Sequence, residues 1–163
     1  ESTGDGAPVC RGGVTVTDPN GTGLHINGHD SPCSVRLTSC AISDCRGDGV
    51  FADGAGASLE LVECLVLRNG SSGVYVRFGA RVQISGASSR IHSNGHFGLS
   101  SAYGASIKVS CLGTKPAVTG QDELGRRIFS GATTSALFSQ TEDHPNKSGD
   151  VIERGNASVV FTP

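Results

Sequence analysis

A six-residue phrase recurs along the chain. Gly56-Ala57-Ser58-Leu59-Glu60-Leu61, Gly79-Ala80-Arg81-Val82-Gln83-Ile84 and Gly104-Ala105-Ser106-Ile107-Lys108-Val109 follow one another at 23 and 25 residues. Pro32-Cys33-Ser34-Val35-Arg36-Leu37 takes the same place 24 residues upstream of Gly56. A second marker, a small apolar residue followed by a turn and then Gly-apolar, runs in parallel: Val16 with Gly23-Leu24, Ile42 with Gly49-Val50, Val66 with Gly73-Val74, Ile91 with Gly98-Leu99. Its glycines step by 26, 24 and 25. Two markers with one period define a solenoid, because a unit this short buries its apolar face only against a copy of itself.

Each unit holds three short runs with period-two alternation, such as Leu59-Glu60-Leu61, Cys64-Leu65-Val66 and Val74-Tyr75-Val76. That is a strand pattern with one face buried. Gly and Asn-Gly separate the runs and are read as supplying positive φ at sharp corners. Three strands per turn of about 24 residues predict an all-β, right-handed parallel β-helix of about four clear coils of 23–26 residues, the hand following the rule for parallel crossovers. The chain reads as a single domain, with an arm or cap over 1–13, regular coils over 14–111 and a less regular cap and loop over 112–163. In that last part Ile128-Phe129 and Ala136-Leu137-Phe138 are apolar enough to cover the open core. Residues 139–150 read as an exposed polar loop. Val151-Ile152 and Ser158-Val159-Val160-Phe161 read as closing strands.

The stretches Ile42–Val50, Val66–Val74 and Ile91–Leu99, each close to apolar-x-x-Asn-x-x-x-Gly-apolar, resemble the coils of the pectate-lyase-like parallel β-helix superfamily. The resemblance spans about residues 14–111. It implies the fold, and it leaves activity open among polysaccharide lyases, epimerases, hydrolases and non-enzymatic interaction modules.

The period tells which side chains meet. Asn69 and Asn94 share a corner with Cys45, which suggests an interior hydrogen-bonding ladder. Cys40, Cys64 and Ser89 are also equivalent. They read as small buried groups, although stacked Cα atoms would permit a Cys40–Cys64 disulfide. Cys33, Cys40, Cys45 and Cys64 lack the close pair a zinc site needs, so neither metal nor cofactor is expected. Asp44 meets Arg68, Asp53 meets Arg77, Glu60 lies between Arg36 and Gln83, and Asp48 faces Ser72. No acid stacks on another acid, whereas sugar-bond hydrolysis uses two carboxylates. His92 and His96 fall in a different register from His25 and His29 and read as surface groups. Arg46-Gly47-Asp48 sits at a corner, where glycine raises the chance of such a tripeptide.

Two rows are expected to face outward: His25, Phe51, Tyr75 and Ser100, and beside them Asn27, Asp53, Arg77 and Ala102. His25, Phe51, Asp53, Tyr75 and Arg77 are the candidate binding residues, aromatics beside a charged pair. The competing expectation is that Phe51 and Tyr75 lie under a terminal segment.

The net charge is −2, without the basic stripe of a nucleic-acid binder, and no run is long enough to enter a membrane as a helix. The chain contains no methionine and reads as part of a larger polypeptide or assembly. Sequons at Asn20, Asn69, Asn146 and Asn156 tilt slightly towards secretion. Asn69 is expected inside and the other three at the surface. The reading that follows is a non-catalytic β-helix module serving as scaffold or protein-interaction surface. The alternative is a polysaccharide-active or carbohydrate-binding domain, so the expected partner is another protein or a polysaccharide.

Overall fold

The computed structural model describes residues 9–11, 13–110, 118–121, 127–129 and 146–162. Every regular element among them is a strand. The first coil holds β1 (Val9–Arg11), β2 (Thr15–Val16) and β3 (Leu24–Asn27). The second holds β4 (Cys33–Thr38), β5 (Ala41–Ser43) and β6 (Val50–Asp53). The third holds β7 (Ala57–Val62), β8 (Leu65–Leu67) and β9 (Val74–Arg77), and the fourth β10 (Arg81–Ser85), β11 (Arg90–His92) and β12 (Phe97–Ala102). Then come β13 (Ser106–Ser110), β14 (Val118–Gln121), β15 (Arg127–Phe129), β16 (Gly149–Arg154) and β17 (Ser158–Phe161). Equivalent strands pair in parallel into three sheets, ordered β1-β4-β7-β10-β13-β17, β2-β5-β8-β11, and β3-β6-β9-β12-β16 continuing to β15 and β14. This is a parallel β-helix. It starts earlier than residue 14, because Val9–Arg11 already pairs with Arg36–Thr38.

The register matches the repeat. Glu60 lies between Arg36 and Gln83, and Asp53 between Asn27 and Arg77. Alternate residues therefore form interior columns such as Leu59, Val82 and Ile107, or Ile42, Val66 and Ile91, all at most 2% exposed. Each such side chain contributes about 1.5–3 kcal/mol by leaving water.

One corner is held by amides. Asn69 accepts from the Cys45 N–H and donates to the Ile42 carbonyl. Asn94 does the same for Asn69 and Val66. Asn146 closes the column: its Oδ1 accepts from the Asn94 N–H at 3.1 Å and Asn94 Nδ2 at 2.9 Å, and its Nδ2 donates to Ile91. Asn146 is 4% exposed. This corrects the surface assignment of that sequon and of the loop's last part. Within 139–150, Asn146 is interior and Gly149-Asp150 opens β16, while 139–145 and Ala136–Phe138 lie outside the described residues. Asn20 and Asn156 are exposed.

The last coil is offset by 52 residues rather than about 25: Leu99 pairs with Val151 and Ser106 with Ser158. The extra length falls between Ser110 and Asn146. Part of it returns as β15, antiparallel to β16, with Ile128 opposite Ile152. An antiparallel strand ends the run of parallel rungs that an edge would otherwise offer to another chain.

The Asn-Gly corners work differently from the expectation. The residue before each ladder position carries the positive φ: Asp44 (59°), Arg68 (55°) and Ser93 (60°). The glycines are needed for close approach instead. A Cβ on Gly70 would lie 2.2 Å from the Arg46 carbonyl oxygen, and one on Gly95 2.1 Å from that of Gly70. No disulfide links Cys33, Cys40, Cys45 and Cys64 to one another. Cys40 and Cys64 point their Sγ atoms at the carbonyls of Thr38 and Val62, each at 3.3 Å.

Candidate functional site

The outward face of the β3-β6-β9-β12-β16 sheet carries the candidate residues. Leu24, Val50, Val74 and Leu99 point in, so the next residues, His25, Phe51, Tyr75 and Ser100, point out in one row that Ile152 extends. Rungs set the ring spacing. His25 and Phe51 stack with centroids 4.8 Å apart, Phe51 and Tyr75 at 5.4 Å, both with 25° between planes. Exposure falls along the row: His25 is exposed, Phe51 and Tyr75 are half-buried, and Ser100 and Ile152 are buried.

The neighbouring row runs Asn27, Asp53, Arg77, Ala102 and Arg154. Arg77 Nη2 donates to Asp53 Oδ2 at 3.0 Å, and its guanidinium lies 4.7 Å from the Phe51 ring centre and 5.1 Å from that of Phe78. His29 Nε2 reaches Asp53 Oδ1 at 3.0 Å, close enough for an ion pair but off the line of a hydrogen bond. Asp53 is 7% exposed, so the row expected to face solvent is covered at this acid by its own partners. Burial pushes the Asp53 carboxyl up. The hydrogen bond and charge of Arg77, with His29 against the same carboxylate, outweigh it and hold the carboxyl below the usual carboxylate range. Arg77 is raised, first through its bond to Asp53.

Three contributors were not identified in the sequence: His29, Phe78 and Tyr103. Gly54 follows Asp53 at the corner, and the residues after Arg77 and Ala102 are Phe78 and Tyr103. These two rings stack nearly parallel, 4.9 Å apart at 11°, and are 44% and 59% exposed. Their signal was present: each sits directly before the Gly-Ala of the repeating phrase, in Phe78-Gly79-Ala80 and Tyr103-Gly104-Ala105.

Elsewhere on the coils acids meet bases. Arg68 forks onto Asp44 through two 2.9 Å bonds, and Arg36 Nη1 lies 3.1 Å from Glu60. In the Arg-Gly-Asp tripeptide, Asp48 Oδ1 is taken up by the Ser72 N–H at 2.8 Å. His92 Nδ1 contacts Ser93 Oγ at 2.8 Å, and His96 is exposed. Among the described residues, no three His, Cys, Asp or Glu side chains gather closely enough to hold a metal ion.

No curated protein matches the chain. No solved structure matches it either. The family model of the right-handed β-helix region matches residues 4–113, which takes in the four coils and the amide corner up to Asn94. With its parallel rungs, inward columns and two-dozen-residue period, the chain belongs to the right-handed β-helix family.

Proposed function

We propose that this chain is a non-catalytic β-helix module, a rigid scaffold whose outward aromatic strip docks a partner protein. One observation carries the reading: the rings stack on one another along the solenoid axis. A ladder of this kind spends its ring faces on its own neighbours and turns its edges outward. Sugars are gripped through exposed ring faces, whereas protein interfaces use aromatic edges and Arg freely. The charged groups support the same reading. Asp53 is neutralised by Arg77 and buried beneath it, which suits a structural pair better than a general acid or base.

The carbohydrate reading draws on a different feature, the exposure of Phe78 and Tyr103. The two are separated by comparing wild type with a Phe78→Ser/Tyr103→Ser double variant of matched thermal stability. Both are immobilised and presented with native extract and, separately, with a glycan array. The expected result is a protein captured by wild type and reduced at least about thirtyfold in affinity by the variant, as for loss of an interface hot spot. Capture undiminished in the variant, or glycans retained through these rings, refutes the proposal.

A further inference from the structure

The aromatic ladder is unfinished at its C-terminal end. Phe78 packs against both the Arg77 guanidinium and the Tyr103 ring. Tyr103 is covered by Phe78 on one side, and among the described residues no ring or guanidinium lies on the other. The next rung places Gly155 there, the Tyr103 N–H donating to the Arg154 carbonyl at 3.2 Å. Among the described residues, a Cβ built on Gly155 would meet the Tyr103 backbone nitrogen alone, at 3.9 Å. Among the described residues, one ring face, one rung deep, is therefore left uncovered beside a glycine.

Two cations in the segments that carry these rings are without an ion pair among the described residues. Asp53 and Arg77 cancel. Arg154, on the row next to this ring face, makes no ion pair with a described residue, and its buried Nε has no hydrogen-bond partner among them. Arg81, exposed and three residues past Phe78, is likewise without an ion pair among the described residues. A cationic guest is repelled and an acidic one attracted.

Resting on the protein-docking reading above, we propose that the Tyr103–Gly155 step is the anchor pocket of that surface. It takes a single aromatic side chain of a partner segment with acidic residues on either side of it. The guest ring completes the ladder on Tyr103, and the flanking carboxylates pair with Arg154 and Arg81. A polysaccharide fits less well, because its successive rings need several free faces side by side and the corner offers one.

The test uses the whole chain and four dodecapeptides. They carry a central Tyr among Glu, Leu among Glu, Tyr among Lys, and Tyr among Gln, with acidic oligosaccharides as a fifth arm. The Tyr–Glu peptide is expected to bind about tenfold or more tighter than the Leu–Glu and Tyr–Lys peptides. Tyr103→Ser removes that preference. Gly155→Asn also removes it without lowering the melting temperature, because Asn accepts the left-handed conformation that Gly155 holds (φ 61°). Arg154→Gln narrows the gap between the Glu and Gln peptides and leaves the aromatic preference intact. Equal binding of Leu and Tyr peptides, preference for Lys, no peptide binding, or indifference to Gly155→Asn overturns the pocket. So does tighter, Tyr103-dependent binding of an oligosaccharide. If the peptides fail while the double variant still loses its captured protein, the pocket is wrong and the docking surface stands. If capture is also unaffected, both fall.

Discussion

Replacing Asn94 by Ala removes the central amide of the buried ladder, and the structure fixes what is lost. Asn94 Oδ1 accepts from the Asn69 N–H at 3.1 Å and from Asn69 Nδ2 at 3.0 Å, and Asn94 Nδ2 donates to Val66 O at 3.3 Å and Asn146 Oδ1 at 2.9 Å. After truncation Asn69 Nδ2 keeps Ile42 O, and Asn146 Oδ1 keeps the Asn94 N–H. The Asn69 backbone N–H, buried with its residue at 2% exposure, is orphaned. That group costs roughly 1–3 kcal/mol, and the weakened side-chain bonds about 0.5–1.5 kcal/mol each. A total near 4 kcal/mol is expected, about a thousandfold in the folded-to-unfolded ratio. Urea titration followed by far-ultraviolet circular dichroism reads it as a fall in midpoint. Asn94→Asp is the sharper companion, since its second oxygen faces two acceptors. The folded state then disfavours the charged form and raises the acid's pKa above its unfolded value. The variant's stability is therefore fullest below about pH 4 and declines as pH rises through the raised value. A loss under about 1 kcal/mol for Ala, or a pH-independent Asp variant equal to wild type, would show that the ladder is not bonded as described.

Val66 is fully buried in a central column, so Val66→Asp buries an unpaired charge and is expected to cost several kcal/mol and abolish cooperative unfolding; a soluble, cooperative variant contradicts the inside–outside assignment. Gly95→Ala drives a methyl against the Gly70 carbonyl oxygen and should destabilise by about 2 kcal/mol or more, whereas Gly104→Ala, whose methyl meets nothing within 4 Å among the described residues, pays the strain of its positive φ, about 1–2 kcal/mol; melting temperatures that rank them otherwise refute the close-approach role. The depressed Asp53 carboxyl stabilises the fold fully above the ordinary aspartate value near pH 4, and that share is lost as pH falls through its lower folded value; Asp53→Asn should remove this acid limb from a stability–pH profile. Produced in a glycosylating host, the chain should carry sugar at Asn20 or Asn156 and none at Asn69 or Asn146, checked by peptide mass spectrometry.

The coils were readable because a solenoid states its interior several times over. Leu59, Val82 and Ile107 occupy one column, so any one spelling of the phrase predicts the next. The same logic failed at Asn146. The insertion moves it 52 residues from Asn94, and amid polar neighbours an interior amide looks like a surface one. It also failed at Asp53, since alternation gives only a direction. Arg77, stacked between Phe51 and Phe78, lies against the carboxyl and closes it off. The glycines of Asn-Gly were given to backbone conformation when their work is clearance, because a sequence shows that a side chain is missing without showing what occupies its place.

Outward positions carry no such redundancy, so function has to be sought where the repeat departs from itself. Among the described residues, seven other than glycine hold positive φ: Ser39, Asp44, Glu63, Arg68, Phe78, Ser93 and Tyr103. This conformation costs each about 1–2 kcal/mol relative to glycine. Several recover part of it locally: Arg68 and Asp44 through their paired bonds, Glu63 by accepting from the Ser88 N–H, Ser93 through His92. Phe78 and Tyr103 occupy a corner where the preceding coil uses Gly54 and the following one Gly155. They leave 44% and 59% of their surface in water, and neither belongs to the interior cluster. Two successive rungs thus trade a permissive glycine for a strained, exposed aromatic, with mutual stacking of about 0.5–1.5 kcal/mol and the Arg77 guanidinium on Phe78 as the return among the described residues. Stability gains little from the rings at these two positions, which is why the docking surface proposed above is placed on them.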